Sequence, residues 1–202
     1  KIMKLNLKRP LAFFDLETNS KNKILDIGCV RWDDSTFHEG SVHSFLEFIK
    51  NTDFLCGHNI HHHDLKQLHN FLGNTSLGSA NAIDTLYWSP LLFPSRPYHR
   101  LLKDDKLQKE ELNNPLNDSF KARDLFYDEV AAFQKLDEPL KRIYYNLLHR
   151  HKEFSAFFAY LNYSNELSES ELEQLIWNYF DGSICSHANI YNQIVTAPVS
   201  LA

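Results

Sequence analysis

Short apolar runs alternate with polar turns along the first 135 residues of the chain, and longer helical patterns follow. "LAFFDL" (Leu11 to Leu16) is apolar on both faces, lies between Pro10 and the polar "ETNSKNK", and predicts a buried strand. "ILDIGCVRWDD" predicts a second strand after a tight connection, and "FHEGSVHSFL" a third. "FLCGHN" is another short apolar run, ending at Gly57. Asn59 is then the expected cap of a helix over "IHHHDLKQLHNFL", with Ile60, Leu65, Leu68 and Leu72 near one face. "AIDTLYWSPLLFP" restarts the strand pattern and leads into a short apolar element that Pro94 ends. From Pro115 to Phe133 the pattern is helical, with Leu116, Phe120, Phe126 and Val130 facing inward.

Alternation of this kind predicts an α/β domain over residues 1–135. Residues 136–202 form a separate helical segment, a candidate linker to a further domain. Within it "LSESELEQL" carries a capping box, Ser168 as N-cap and Glu171 three residues on. Its aromatic patches "IYYNLL", "FSAFFAYLNY" and "IWNYF" read as core. No internal repeat or low-complexity tract interrupts the chain.

Composition narrows the function classes. Lys plus Arg is 21 against 26 for Asp plus Glu, a net charge of −5. That argues against a generally basic nucleic-acid binder, yet it suits an enzyme that presents acidic metal ligands to a nucleic acid. Cys29, Cys56 and Cys185 are far apart and none is in a CxxC pair, so the expectation is a reducing, cytoplasmic setting. No apolar run reaches the length of a membrane span and no signal-peptide pattern is present. A chain that opens on lysine and stops at "VTAPVSLA" reads as a piece of something longer.

Candidate chemistry lies in the acids. Asp15 and Glu17 share one face of the first strand because alternate strand residues point the same way. Two carboxylates projecting together from a buried strand are costly unless a cation or base neutralises them. Asp64 follows "GHN", and Asp118 stands near the start of the helix after Pro115. Together Asp15, Glu17, Asp64 and Asp118 make a hard, oxygen-rich set, suited to Mg²⁺ or Mn²⁺ rather than zinc. The competing reading is histidine-bound zinc, since His58 and His62 sit at i, i+4. Cys56, His58, His62 and His69 do not, however, match the spacing of a ribbon or finger.

"FFDLET", "GHNIHHHDLKQL", "IDTL" and "PLNDSFKARDLF", in this order, resemble the DEDD exonuclease superfamily, in particular 3′→5′ exonucleases of the DnaQ and RNase T type. The resemblance covers residues 10 to about 130. It implies an RNase H-like fold, a mixed central sheet flanked by helices. It also implies a two-metal-ion hydrolase with Asp15, Glu17, Asp64 and Asp118 as the metal-binding, catalytic acids. Thr18 would then lie near the 3′-terminal nucleotide, and the partner would be a single-stranded or frayed 3′ end, of DNA rather than RNA.

One position departs from the family pattern. Its general base is a histidine five residues before the last aspartate, or a tyrosine four before it; here Asn113 and Asn114 stand there. Neither accepts a proton at working pH, and general-base assistance is typically worth about 10²–10⁴-fold. Three readings stay open: a base from elsewhere, with His99 and His61 to His63 as candidates, water activated without a protein base, or a weak or inactive module that binds an end or a partner protein. Arg96, Arg100, Lys103, Lys106, Lys109, Lys121 and Arg123 form a basic segment able to contact phosphates. The end segment "GSICSHANIYNQIVTAPVSLA" is faintly similar to the junction before the helicase part of bacterial exonuclease–RecQ-type helicase fusions, which implies a helicase domain in the same full-length chain.

Overall fold

The computed structural model describes residues 9–73, 77–99, 101 and 114–202. The chain divides into two compact units, Lys1–Glu129 and Val130–Ala202. Among the described residues no helix is long and apolar enough to cross a membrane.

The first unit is α/β and is built on a five-stranded mixed sheet. Its strands are β1 (Leu11–Thr18), β2 (Ile24–Arg31), β3 (Thr36–His38), β4 (Phe54–Gly57) and β5 (Ala82–Asp84), in the order β3-β2-β1-β4-β5. β1 takes the centre because it is apolar on both faces, with Leu11, Ala12, Phe13 and Phe14 all fully buried. It pairs antiparallel with β2 and parallel with β4; β2 with β3 is antiparallel and β4 with β5 parallel.

Parallel neighbours need crossovers, which helices α1 (Val42–Ile49) and α2 (Asp64–Leu72) supply. Both contribute to one core. Phe45 and Ile49 of α1 and Leu65, Leu68 and Leu72 of α2 pack with Ala12, Phe14 and Leu16 of β1. The alternate residues of β1 serve the other face, where the Phe13 ring lies 5.6 Å from Phe126 and 5.8 Å from Tyr127. Those two rings belong to α4 (Pro115–Lys135), which follows α3 (Thr85–Leu92). Along α4 Phe126 and Val130 are buried as expected, whereas Leu116 and Phe120 are only half-buried.

Two expectations are met only in part. "FHEGSVHSFL" supplies only Phe37 and His38 to the three-residue β3 before Ser41, whose side chain accepts the Ser44 N–H and starts α1. An N-cap there outcompetes further strand pairing. The helix after "GHN" begins at Asp64, not at Ile60. Asn59 adopts a left-handed backbone (φ 66°), which Asn tolerates and a helix N-cap does not use. His61 to His63 therefore sit in a turn rather than on a helix face.

The second unit holds α5 (Glu138–Leu148), α6 (Lys152–Leu161), α7 (Glu169–Tyr179), α8 (Ile190–Thr196) and α9 (Pro198–Leu201). Its core is aromatic: the Phe133 ring meets Phe157, Phe158 and Tyr163 edge-on at 5.5–5.9 Å. Tyr145, Phe154 and Tyr160 are buried beside them in the same unit, but of "IWNYF" only Ile176 is buried. The capping box at Ser168 and Glu171 opens α7. All three cysteines are free, Cys29 and Cys56 buried and Cys185 exposed.

Candidate active site

Asp15 and Glu17 project from the end of β1, both partly buried, and Thr18 follows at the last position, where the pairing with β2 shifts register. Across the β1–β2 ladder Asp15 pairs with Gly28. A Cβ on Gly28 would overlap the backbone of Pro115 and Leu116. The missing side chain is what lets α4 begin directly over the strand that faces Asp15, a use of strand glycine for close backbone approach. Asp118 lies in the first turn of that helix, where the helix dipole favours a carboxylate.

Asp64 reaches the same place from the other side of β1. It is 1% exposed, and its Oδ1 accepts the Leu16 N–H at 2.9 Å, between the two β1 acids in sequence. The four acids are thus gathered from β1, α2 and α4. Burial, then repulsion from Asp64, Asp118 and Glu17 in that order, pushes the Asp15 carboxyl up to about 8. Burial also raises Asp64, partly offset by His63, whose Nδ1 lies 3.6 Å from its Oδ1. His63 is itself raised, first by that contact. Asp118 holds one cation, Lys121 Nζ at 3.2 Å.

Among the described residues no group of three or more His, Cys, Asp or Glu side chains stands as a ready metal cage. The donors still suit a hard divalent ion, because every gathered group is a carboxylate and the central one is pushed up by burial and then by its neighbours' charge. A cation would relieve the repulsion that a proton otherwise relieves.

The histidines sort themselves by position. His62 Nε2 hydrogen-bonds the Tyr87 hydroxyl at 2.8 Å. His58 Nδ1 lies 2.8 Å from Thr85 Oγ1, and Thr85 Oγ1 donates to the Gly57 carbonyl at 3.3 Å. Burial lowers His58, and Asp84, Asp118 and His99 all lie within its electrostatic reach. His99 Nδ1 lies 3.0 Å from Ser89 Oγ. Position 113 and the basic residues Arg100, Lys103, Lys106 and Lys109 lie outside the described residues. Of the remaining basic residues, Lys121 is held by Asp118, Arg123 by Asp34 and Asp124, and Arg96 stacks over Phe93.

Two residues that sequence reading left without a role organise this end of the sheet. Asp84, fully buried at the end of β5, accepts the N–H groups of Asn59 (2.7 Å), His61 (3.1 Å) and Leu86 (3.0 Å). It caps α3 and cradles the turn that delivers Asp64. Its signal was an aspartate between a strand and a helix start in "AIDTL", an N-cap pattern. Gly57 is the second: a Cβ there would overlap Ile60 Cγ2 and crowd the Phe14 carbonyl, so the turn closes only over glycine. A further buried acid, Glu129 on α4, has no hydrogen-bond partner for either oxygen, and burial holds its carboxyl well above the ordinary range.

Compared with known proteins, the chain is matched by no family model and by no curated protein.

Proposed function

We propose that the chain is a two-metal-ion 3′→5′ exonuclease that hydrolyses the terminal phosphodiester of nucleic-acid 3′ ends, DNA rather than RNA. The observation that carries this reading is the crowding of Asp64, Asp118 and Glu17 around the buried Asp15, where burial first and their charge next push its carboxyl up to about 8. A cluster arranged only for stability would pair such acids with donors, and clusters of displaced carboxylates mark chemistry more often than structure. The mixed sheet with β1 at its centre is also in keeping with an RNase H-like fold.

In this reading Asp15, Glu17, Asp64 and Asp118 hold two Mg²⁺ or Mn²⁺ ions. Bound there, the ions would polarise the phosphoryl oxygens and neutralise charge on the attacking and leaving oxygens. The protein's own part is positional. The Leu16 N–H fixes the Asp64 rotamer, and Gly28 lets α4 carry Asp118 down to β1. Thr18, beside Glu17 at the strand end, lies next to the terminal nucleotide. A water oxygen bonds to phosphorus, the P–O3′ bond breaks, and O3′ takes up a proton. The products are a nucleoside 5′-monophosphate and a chain one unit shorter. Three free cysteines are in keeping with a reducing, cytoplasmic setting. The similarity of residues 182–202 to a helicase junction supports a helicase domain elsewhere in the full-length chain.

The test is release of nucleotides from the 3′ end of single- and double-stranded DNA with Mg²⁺ or Mn²⁺, run beside Asp15→Ala. Wild-type degradation that Asp15→Ala abolishes is the expected result. A second reading, an exonuclease-like module that grips an end without cutting, is favoured by the Lys121–Asp118 ion pair and by asparagine at position 113. Wild type that binds ends but is inert with both metals would establish that reading and sink the first.

A further inference from the structure

We propose that Lys121 is a phosphate contact of the candidate site, held on Asp118 until a divalent ion engages that carboxylate. The proposal deepens the exonuclease reading and rests on its metal site, not on cutting.

Lys121 follows Asp118 by three residues on α4 and donates from Nζ to Asp118 Oδ1 at 3.2 Å. The start of that helix lies over Gly28, which faces Asp15 across the β1–β2 ladder. The lysine ammonium is thereby brought to the acids. The next cation along α4 takes another course: Arg123 is held by Asp34 and Asp124. Lys121 turns its charge to the site, and Arg123 turns its charge to acids outside it.

The Lys121–Asp118 contact is open and exchangeable. The Lys121 side chain is 34% exposed and that of Asp118 19%. An ammonium carries three donors, and one is given to Asp118. Lysine is a hydrated point charge on a flexible four-carbon stem, and exposed ion pairs of this kind are weak. A divalent ion carries twice the charge and prefers carboxylate oxygens, so it outcompetes the ammonium for Asp118. Once released, Lys121 remains tethered beside the acids. A site made of four carboxylates repels phosphate, and a mobile cation next to it attracts phosphate. Without metal, then, Lys121 offsets the charge of Asp118; with metal, it donates to a phosphate oxygen of the bound strand. A lysine that only supports the helix through an i, i+3 pair would not respond to metal in this way.

Lys121→Met on the whole chain tests this, since Met keeps an unbranched stem and a strong helix preference but no charge. The first measurement needs neither DNA nor catalysis. Calorimetric titration with Mn²⁺ is expected to give an affinity about two- to fivefold tighter than wild type, the reach of an exposed ion pair. The second uses single-stranded DNA with hydrolysis-resistant phosphorothioate linkages at its 3′ end, followed by fluorescence anisotropy over about 50–200 mM salt. With Mn²⁺, Lys121→Met is expected to bind at least about threefold more weakly, with a slope of log affinity against log salt shallower by about 0.7. Lys121→Arg, which keeps the charge, should restore that slope. With EDTA in place of Mn²⁺ the wild-type and Lys121→Met slopes should coincide, because the ammonium is then held by Asp118. Equal slopes with Mn²⁺, the same slope change with and without it, or Mn²⁺ affinity that is unchanged or weaker each overturns the proposal. Wild type that shows the full pattern but releases no nucleotide from an unmodified 3′ end supports the proposal and removes the exonuclease reading. Wild type that binds no Mn²⁺ removes both.

Discussion

Two acids at the same end of one sheet have met opposite fates. Asp84 is fully buried and accepts three backbone N–H groups, from Asn59, His61 and Leu86. Asp15, on β1 and separated from the strand of Asp84 by β4, is surrounded by Asp64, Asp118 and Glu17, and burial with their charge pushes its carboxyl up to about 8. Burial is common to both, so burial does not separate a structural acid from a chemical one. The neighbours do. Donors around Asp84 fix a turn; like charges around Asp15 store an unfavourable energy that only a proton or a cation relieves. The turn that Asp84 fixes is the one that delivers Asp64 to the cluster, so the structural acid builds the chemical one's surroundings.

The sharpest break between the two comes from neutralising Asp15. Asp15→Asn keeps the shape and removes the charge. On the proposed function, the rate of 3′-end release is expected to fall by on the order of 10³-fold or more, since one contributor to charge stabilisation is gone. Thermal stability measured without divalent cation should hold or rise, because repulsion has been removed. Loss of activity together with loss of stability would place Asp15 with Asp84, as a structural acid.

Asp84→Ala inverts that pattern. Three backbone donors lose their acceptor inside the protein, and each unsatisfied group typically costs about 1–3 kcal/mol. Allowing for partial relaxation, a loss of roughly 2–5 kcal/mol is expected in denaturant unfolding. Mn²⁺ should still bind to whatever fraction remains folded, but with weaker affinity as the Asp64 turn loosens. A stable Asp84→Ala protein would show that the turn is held by Gly57 and Ile60 alone.

Gly28→Ala tests the approach of α4. The added methyl would overlap the backbone of Pro115 and Leu116, and overpacking of this kind costs about 1–3 kcal/mol. The helix must lift at its first turn, taking Asp118 with it. Mn²⁺ affinity is expected to drop about tenfold, a size comparable with loss of an outer-shell support. Unchanged affinity would mean that Asp118 is not held where the cluster needs it.

These contrasts also mark what could be read from sequence. Asp15 and Glu17 were legible because strand periodicity is local: two residues apart is the same face. Asp64 and Asp118 were legible only through ordered motifs, since nothing local says that a helix start 49 residues downstream of Asp15 folds back onto it. The role of Asp84 was hidden for a related reason. Its N-cap to Leu86 is local, but its bonds to Asn59 and His61 span 25 and 23 residues. Gly28 looked like one more strand residue, and the helix that needs its missing side chain lies far along the chain. "FHEGSVHSFL" gave a third strand shorter than expected because two local signals competed: a few β-prone residues before Gly40, and a Ser41 cap with Val42, Phe45 and Ile49 at helical spacing after it. The alternation before the cap was real, but it was only three residues long.

The smallest effect is a slope with pH, and it separates the two acids without touching catalysis. Asp15 in the folded chain titrates near 8 against an ordinary value of 3.8. The folded state therefore binds more protons than the unfolded state between those values, and stability falls as pH rises through that window. The contribution is full below about pH 4 and gone above about pH 8. Without divalent cation, the unfolding temperature should decline by about 2–4 °C between pH 5 and 8.5 beyond what Asp15→Asn shows, taking roughly 1 kcal/mol for this partly buried carboxylate. Saturating Mn²⁺ should reverse the sign of the wild-type slope, because the ion binds the ionised acids and competes with the proton. If wild type and Asp15→Asn decline in parallel and Mn²⁺ shifts both equally, the repulsion at Asp15 is not what the cluster stores, and the distinction between the two acids falls.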